Sequence, residues 1–232
     1  MVEARSIWSN NPIPAGCVYY LPLWALSGSA FNSIDPFGYI HTVTGAVKVD
    51  KGYSFDEADD YMVVTGTPAF TSDQAGSLCA WVYVISSAGE QAIFSYSKLS
   101  TGDVDTYRFL VNASTARPRA FIYRNTADTN YRVAAGSMSL DTWVFLTFGS
   151  DGSNNFIHIN GADQILEADT AGGAWFGDLV TDADQITIGA QAASGGYNFD
   201  FGGTIGEIYV YDRGISAAES LYIYNQTKGR YL

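Results

Sequence analysis

The chain has 232 residues, 47% of them hydrophobic and 16% charged, with a formal net charge of −12. Such acidity excludes nonspecific binding to phosphate backbones or anionic membranes, and the length suits one large β-sandwich of roughly 200 to 250 residues. The 24 glycines, 16 tyrosines and 13 phenylalanines favour strands and tight turns over helices.

Met1 to Gly16 carries Glu3, Pro12 and Pro14 and shows no period, which predicts an extended arm over residues 1–16 and a folded domain over 17–232. The arm lacks the apolar core of a secretory signal, while Ile7 and Trp8 suit it to docking on a partner. Val18 to Leu26 reads as the first strand; it is interrupted by Pro22 and falls well short of the roughly 20 residues of a membrane span. A signal cleaved near Ser27 to Ala30 is the alternative. Cys17 and Cys79 both lie in apolar runs and are expected reduced and buried, with a disulfide as the alternative. There is no CxxC, and His41 and His158 stand apart, so no zinc site is expected.

Tyr53 to Phe55 and Tyr61 to Val64 read as a hairpin whose tip holds Asp56, Glu57, Asp59 and Asp60, four carboxylates that cannot be buried together. Trp81, inside the run Ser77 to Ser86, is expected to fill the core. A meander follows through Gln91–Ser95, Thr106–Asn112, Arg119–Arg124 and Tyr131–Ala135, punctuated by Gly102, Pro118 and Asn125. Asp151-Gly152 and Asn160-Gly161 mark two hairpin turns after the strand that begins near Trp143, and Asp184 to Ala190 is another strand. Ile205 to Tyr211 alternates, with Ile205, Glu207, Tyr209 and Tyr211 expected on one face and Gly206, Ile208 and Val210 on the other. Ser216 and Glu219 form a capping box that opens a helix, expected to pack through Leu221, Tyr222 and Tyr224 or Asn225 and to stop before Gly229.

The closing stretch from Gly202 to Asn225 resembles the end of laminin-G-like jelly rolls of the concanavalin A-like lectin and glucanase superfamily. Asp35, Gly38, His41, Thr42, Gly52, Phe55, Asp56, Asp59, Asp60 and Tyr61 fall on the same pattern, as do the Trp81 strand, Asp151-Gly152 and Ile188-Gly189, so the resemblance runs from about Gly16 to Leu232. Glu57 departs from it, standing where the family usually has Gly, and a Glu accepts positive φ poorly. The resemblance implies an all-β, two-sheet antiparallel jelly-roll sandwich with a short C-terminal helix. It also implies calcium near the early Asp turn and the late Glu strand, making Asp35 and Glu207 candidate ligands, with no metal as the alternative.

Retaining glucanases of this superfamily carry a Glu-x-Asp-x-x-Glu strand, and no such run occurs; the i+2 and i+4 neighbours of Glu207 are Tyr209 and Tyr211. The pairs Asp103/Asp105 and Asp182/Asp184 sit among small polar residues and read as solvated turns, and no nucleophile elbow is present. The expectation is therefore a chain without catalytic activity. For binding, the loops Thr170–Leu179 and Ala193–Phe201 set Trp175, Phe176 and Tyr197 beside glycines, an arrangement that presents aromatics to a sugar or a neighbouring subunit, unless they tuck back over the sandwich edge. Arg108, Arg117, Arg119, Arg124 and Arg132 lie between Thr106 and Ala135 against Asp128 alone, and Arg108, Arg124 and Arg132 are candidates for one sheet face that meets an acidic glycan or protein, or is simply solvated.

The opening Leu21 to Asp56 also resembles laminin-G-like domains of bacteriophage structural proteins. With no export segment, this points first to a virion surface or tail protein for glycan adhesion or particle decoration, its partners being glycans, neighbouring virion proteins or further copies of the chain. A secreted, extracellular carbohydrate-binding module is the alternative, and a glycoside hydrolase ranks third.

Overall fold

A computed structural model describes residues 13–85, 89–99, 105–124, 127–179 and 183–232. The opening strands are β1 (Cys17–Leu21), β2 (Ala30–Asn32), β3 (Ile40–Thr44), β4 (Val47–Val49), β5 (Gly52–Asp56), β6 (Tyr61–Val64) and β7 (Gly76–Val84). The middle of the chain forms β8 (Glu90–Ser97), β9 (Thr106–Asn112), β10 (Arg117–Arg124), β11 (Ala127–Val133), β12 (Trp143–Ser150), β13 (Asn155–Ile159), β14 (Ala162–Asp163) and β15 (Leu166–Asp169). The closing part adds β16 (Gln185–Ile188), β17 (Gln191–Ala193), β18 (Gly196–Asn198) and β19 (Gly202–Tyr211), then helix α1 (Ala217–Thr227) and a 3-10 turn, Lys228–Arg230.

Two antiparallel sheets form the sandwich expected from the composition and the resemblance. The eight-stranded sheet runs β14-β13-β12-β7-β19-β5-β4, with β1 pairing beside β5 on β19, and the nine-stranded sheet runs β15-β11-β10-β9-β8-β16-β6-β3-β2. Their inner faces supply one core that includes Tyr19, Leu78, Val82, Phe94, Phe109, Phe148, Trp175 and Ile208. Trp81, expected in the core, does fill one, but it lies in a second cluster with Tyr20, Phe145, Tyr209, Tyr211, Ile223 and Tyr231 on the outward face of the eight-stranded sheet.

That second cluster depends on a β-bulge. The pairing of β19 with β7 slips between Ile205 and Glu207, so Ile205 joins Ile208 and Val210 in the inner core while Glu207, Tyr209 and Tyr211 face outward. Strict alternation had put Ile205 with Glu207; the bulged Gly206 inverts the phase, and a side chain there would run into the ring of Tyr231. Helix α1 opens with the expected capping box, Ser216 and Glu219 bonding reciprocally. Its buried positions are Ser220, Ile223 and Thr227, whereas Leu221 and Tyr222 are exposed. Tyr224 stacks on Trp81, and the Trp81 indole donates to the Thr227 hydroxyl at 2.8 Å.

β1 stops at Leu21, because Pro22 opens a turn in which the Ala25 amide donates to the Pro22 carbonyl. Cys17 and Cys79 are both free thiols. They pair with Tyr211 and Tyr209 from opposite sides of β19, which separates them by at least two strand spacings, upwards of about 9.5 Å, beyond the roughly 7 Å that a disulfide spans. Glu57 takes the positive φ it was expected to resist, at 66°, held by its amide donating to the Phe201 carbonyl and by the Gln91 amide donating to its carboxylate. Of the arm, residues 1–12, including Ile7 and Trp8, lie outside the described residues, and Ile13 packs against the outer aromatic cluster.

Candidate functional site

The outward face of the nine-stranded sheet is built by the residues that alternate with the core positions of its strands. Because Met62, Val64, Phe94, Tyr96, Tyr107, Phe109, Ala120, Ile122, Ile186 and Ile188 point into the core, their neighbours must point away from it. Register then lines up Thr42, Val63, Thr187, Ser95, Arg108, Phe121 and Asn130 as one row across seven strands. This face is polar, unlike its aromatic counterpart on the other sheet.

One short hairpin, β17 with β18, crosses it. The Ser95 hydroxyl donates to the Ala190 carbonyl at 2.9 Å, the Gln191 amide donates to Thr106, and the Gly195 amide donates to the Leu99 carbonyl, tying the hairpin down. Ser194 and Phe199 both adopt positive φ at its turns. On one side of the hairpin, Tyr197 stacks on Tyr61 with ring centroids 3.7 Å apart, and the Gln185 amide donates to the Tyr197 hydroxyl at 3.1 Å. Partial burial raises the Tyr197 phenol above its ordinary pKa, so it stays a neutral donor at physiological pH. Next to this stack lies a surface groove of about 680 Å³, lined by Val63, Thr65, Leu99, Asp184, Gln185 and Gly195.

On the other side, the Arg108 guanidinium is clamped between the rings of Phe121 and Phe199, at 4.2 and 4.0 Å, and is almost wholly buried. Arg119 pairs with Glu90 at 2.5 Å and reaches over Phe121. Arg117 pairs with Glu167 at 2.8 Å, and Arg132 stands 3.9 Å from the same carboxylate. Arg108 and Arg132 thus share the outward face, with Arg117 and Arg119. Arg124 does not, since it has the phase of the core residues Ala120 and Ile122.

Among the other residues singled out from sequence, Trp175 is not presented at all. It is fully buried against Tyr107, Phe109 and Phe176, because the loop around it folds into the mouth of the sandwich: the Trp175 amide donates to the Asp178 carboxylate and Gly173 packs on Ser153. Phe176 is buried with it. Asp103 and Asp182 lie outside the described residues. Tyr61, Gln185, Phe121 and Phe199 were missed as site residues; the signal that finds the first three is strand phase, each standing one residue from a core position.

Asp35 and Glu207 do not fit a calcium ion. Asp35 accepts the backbone amides of Tyr20, Phe37 and Gly38, which makes it the organiser of its own turn. Glu207, fully buried, accepts from the Tyr20 hydroxyl, the Trp24 indole and the Arg230 guanidinium, and a cation at 3.0 Å opposes a second one. Burial raises the Glu207 pKa and Arg230 opposes that rise. The hairpin expected of Tyr53–Phe55 with Tyr61–Val64 does not form, because β5 pairs within the eight-stranded sheet and β6 within the nine-stranded one; around the turn that crosses between the sheets, Asp56, Asp59 and Asp60 bring ligand atoms within 4.8 Å of one another, the one such acidic grouping among the described residues. His41 is no ligand: its imidazole is buried 2.6 Å from the Tyr19 hydroxyl, and burial pushes its pKa down to about 4.

The laminin G family model, described as the concanavalin A-like lectin/glucanases superfamily, matches residues 56–219. The chain belongs to that superfamily. No curated protein matches it in sequence. Among solved structures, it is similar to a Trypanosoma rangeli sialidase, at 15% identity and TM-score 0.71, over 99% of this chain and 38% of that one. It is similar as well to a leech intramolecular trans-sialidase complexed with 2,7-anhydro-Neu5Ac, at 20% identity and TM-score 0.62, over 91% of this chain and 28% of that one. A third is the CBM40 of a Ruminococcus gnavus IT-sialidase bound to α2,3-sialyllactose, at 16% identity and TM-score 0.60, over 78% of this chain and 97% of that one.

The chain therefore spans about a third of the two sialidases and nearly the whole of the CBM40, and likeness at this identity shows the fold alone. The expectation of a chain without catalytic activity is overturned by the same finding. Sialidases stand among the structures that share this fold, so a missing glucanase carboxylate run does not divide the chain from enzymes.

Proposed function

We propose that this chain is a carbohydrate-binding domain that takes its glycan on the outward face of the nine-stranded sheet, against the Tyr61–Tyr197 stack. The observation that carries the reading is the groove of about 680 Å³ beside that stack, a volume inside the range of about 300 to 1,000 Å³ usual for small-ligand sites. An aromatic ring edged by polar groups offers a pyranose an apolar surface for its C–H side and partners for its hydroxyls. Support comes also from the superfamily and from the CBM40 of the same fold, which is described with sialyllactose bound. The secreted carbohydrate-binding module considered from sequence is thus the form of the reading with most support.

Calorimetric titration with a panel of neutral and sialylated oligosaccharides tests it. At least one member is expected to bind, and Tyr197→Ala is expected to weaken that binding at least tenfold, about 1.4 kcal/mol. A panel that stays silent at millimolar concentration, or a Tyr197→Ala variant that binds as well as the parent, would sink the reading. Trp175→Ala is no test of the site, since that side chain is core. Adhesion from a virion surface is a narrower version of the same reading, supported by the resemblance of Leu21 to Asp56 to bacteriophage structural domains. Mass spectrometry of purified particles that fails to find the chain would remove it.

A further inference from the structure

The groove beside Tyr197 has a chemistry that narrows the ligand, an inference that rests on the proposed glycan binding. Its hydrogen-bonding groups are mostly acceptors. Asp184 contributes an exposed carboxylate. The Gln185 side-chain nitrogen already donates to both Thr187 and Tyr197, at 3.3 and 3.1 Å, which leaves the amide oxygen to meet a ligand. The backbone amides of Thr65 and Gly195 are also used, on the carbonyls of Ile40 and Leu99. Among the described residues lining the groove there is no Lys or Arg, and Lys98, next to Leu99 in the chain, lies outside the lining and is itself engaged.

Of the cations that the sequence offered to an acidic glycan, Arg108, Arg117, Arg119 and Arg132 stand elsewhere and are engaged, and Arg124 has the phase of the core residues of its strand. Arg108 lies on β9, three strands from β6, a distance of about 14 Å, behind the β17–β18 hairpin and clamped between Phe121 and Phe199. Arg119 is committed to Glu90, and Arg117 and Arg132 to Glu167. A carboxylate or sulfate brings only acceptors and a negative charge to a groove that presents the Asp184 carboxylate and no cation, so apart from the Thr65 and Tyr197 hydroxyls it finds few donors, and it finds no counter-charge. A hydroxyl brings a donor. We infer that the groove selects an uncharged pyranose through its hydroxyls and rejects sialylated and sulfated glycans, in contrast to the sialyllactose-bound CBM40 of the same fold.

The test is a matched pair, lactose against 3′-sialyllactose, extended to other neutral glycans and their sialylated or sulfated counterparts, with affinity measured at low and high salt. Neutral members are expected to bind at least tenfold tighter than their charged counterparts, with little dependence on salt. Gln185→Ala is expected to weaken neutral binding at least tenfold, and Asp184→Asn, a change at an exposed position, to bring the neutral-to-charged ratio down towards one. Tighter binding of the sialylated members, falling steeply with salt and abolished by Arg119→Ala, would overturn the inference while leaving glycan binding intact. Silence from both classes would overturn it together with the proposed function.

Discussion

The outward face of the eight-stranded sheet carries Tyr20, Trp81, Phe145, Tyr209 and Tyr211, and α1 with the turn after it lies over them. The outward face of the nine-stranded sheet carries Thr187, Ser95, Gln185 and arginines and, among the described residues, is crossed by the β17–β18 hairpin of three-residue strands. The contrast follows from what each face costs to expose. Large aromatics left in water lose about 25 cal/mol per Å² of apolar area, so the chain supplies its own helix to cover them. Hydroxyls, amides and paired arginines are at little cost beside water, and such a face can be left open for a ligand.

This contrast is sharpest where the helix is anchored. Trp81 stacks on Tyr224 and Tyr231 and is fully buried, so Trp81→Ala is expected to cost about 3 to 5 kcal/mol. Denaturant titration reads that loss, and glycan affinity per folded molecule should not move. If affinity moved as well, the two faces would not be independent.

Arg230→Met should come next, at about 3 kcal/mol, because it strands the buried Glu207 carboxylate. The pH dependence has a definite sign. Burial raises the Glu207 pKa in the folded protein above its ordinary value, so the protonated acid is favoured by folding, and stability is lost as pH rises from the ordinary value through the raised one. Without Arg230 that rise grows, and the penalty of the variant should shrink as the solution is made acidic. A penalty that is constant with pH would show that Arg230 acts through its packing on Trp24 rather than its charge.

Ser216→Ala removes the helix cap and is expected to cost about 1 kcal/mol in thermal or chemical unfolding. Its partner Glu219 is held down to about 2 from an ordinary 4.5, first by hydrogen bonds from Arg213. The stability it contributes is therefore present above about 4.5 and is lost as pH falls towards about 2. On the open face, Tyr197→Ala should change stability by less than any of these while removing binding, the reverse of the pattern at Trp81.

Particular residues show how far the sequence could be read. The superfamily, the two-sheet sandwich, the turns at Asp151-Gly152 and Asn160-Gly161 and the capping box are all present as expected. Of the candidate binding residues, Tyr197 accepts a hydrogen bond from Gln185 of the groove lining, whereas Trp175 is core and Arg124 has the wrong phase. Tyr61 was visible only as a strand residue, since nothing local announces that Tyr197 will stack on it. Reading the lost glucanase pair as the loss of all catalysis failed for a related reason: one family's motif says nothing of other enzymes built on the fold.

Strand period, turn chemistry and the helix cap are set within a few residues, by backbone geometry and side chains that reach their own neighbours, and those the sequence settled unaided. Packing settled the rest. The bulge at Gly206 turned Glu207 outward towards Arg230, register brought Arg119 to Glu90 and Tyr61 under Tyr197, and the Trp175 loop found its place in the core only because both sheets closed around it. Such pairings join segments far apart in the chain, and a one-residue slip in any strand would send each of those side chains to the opposite face.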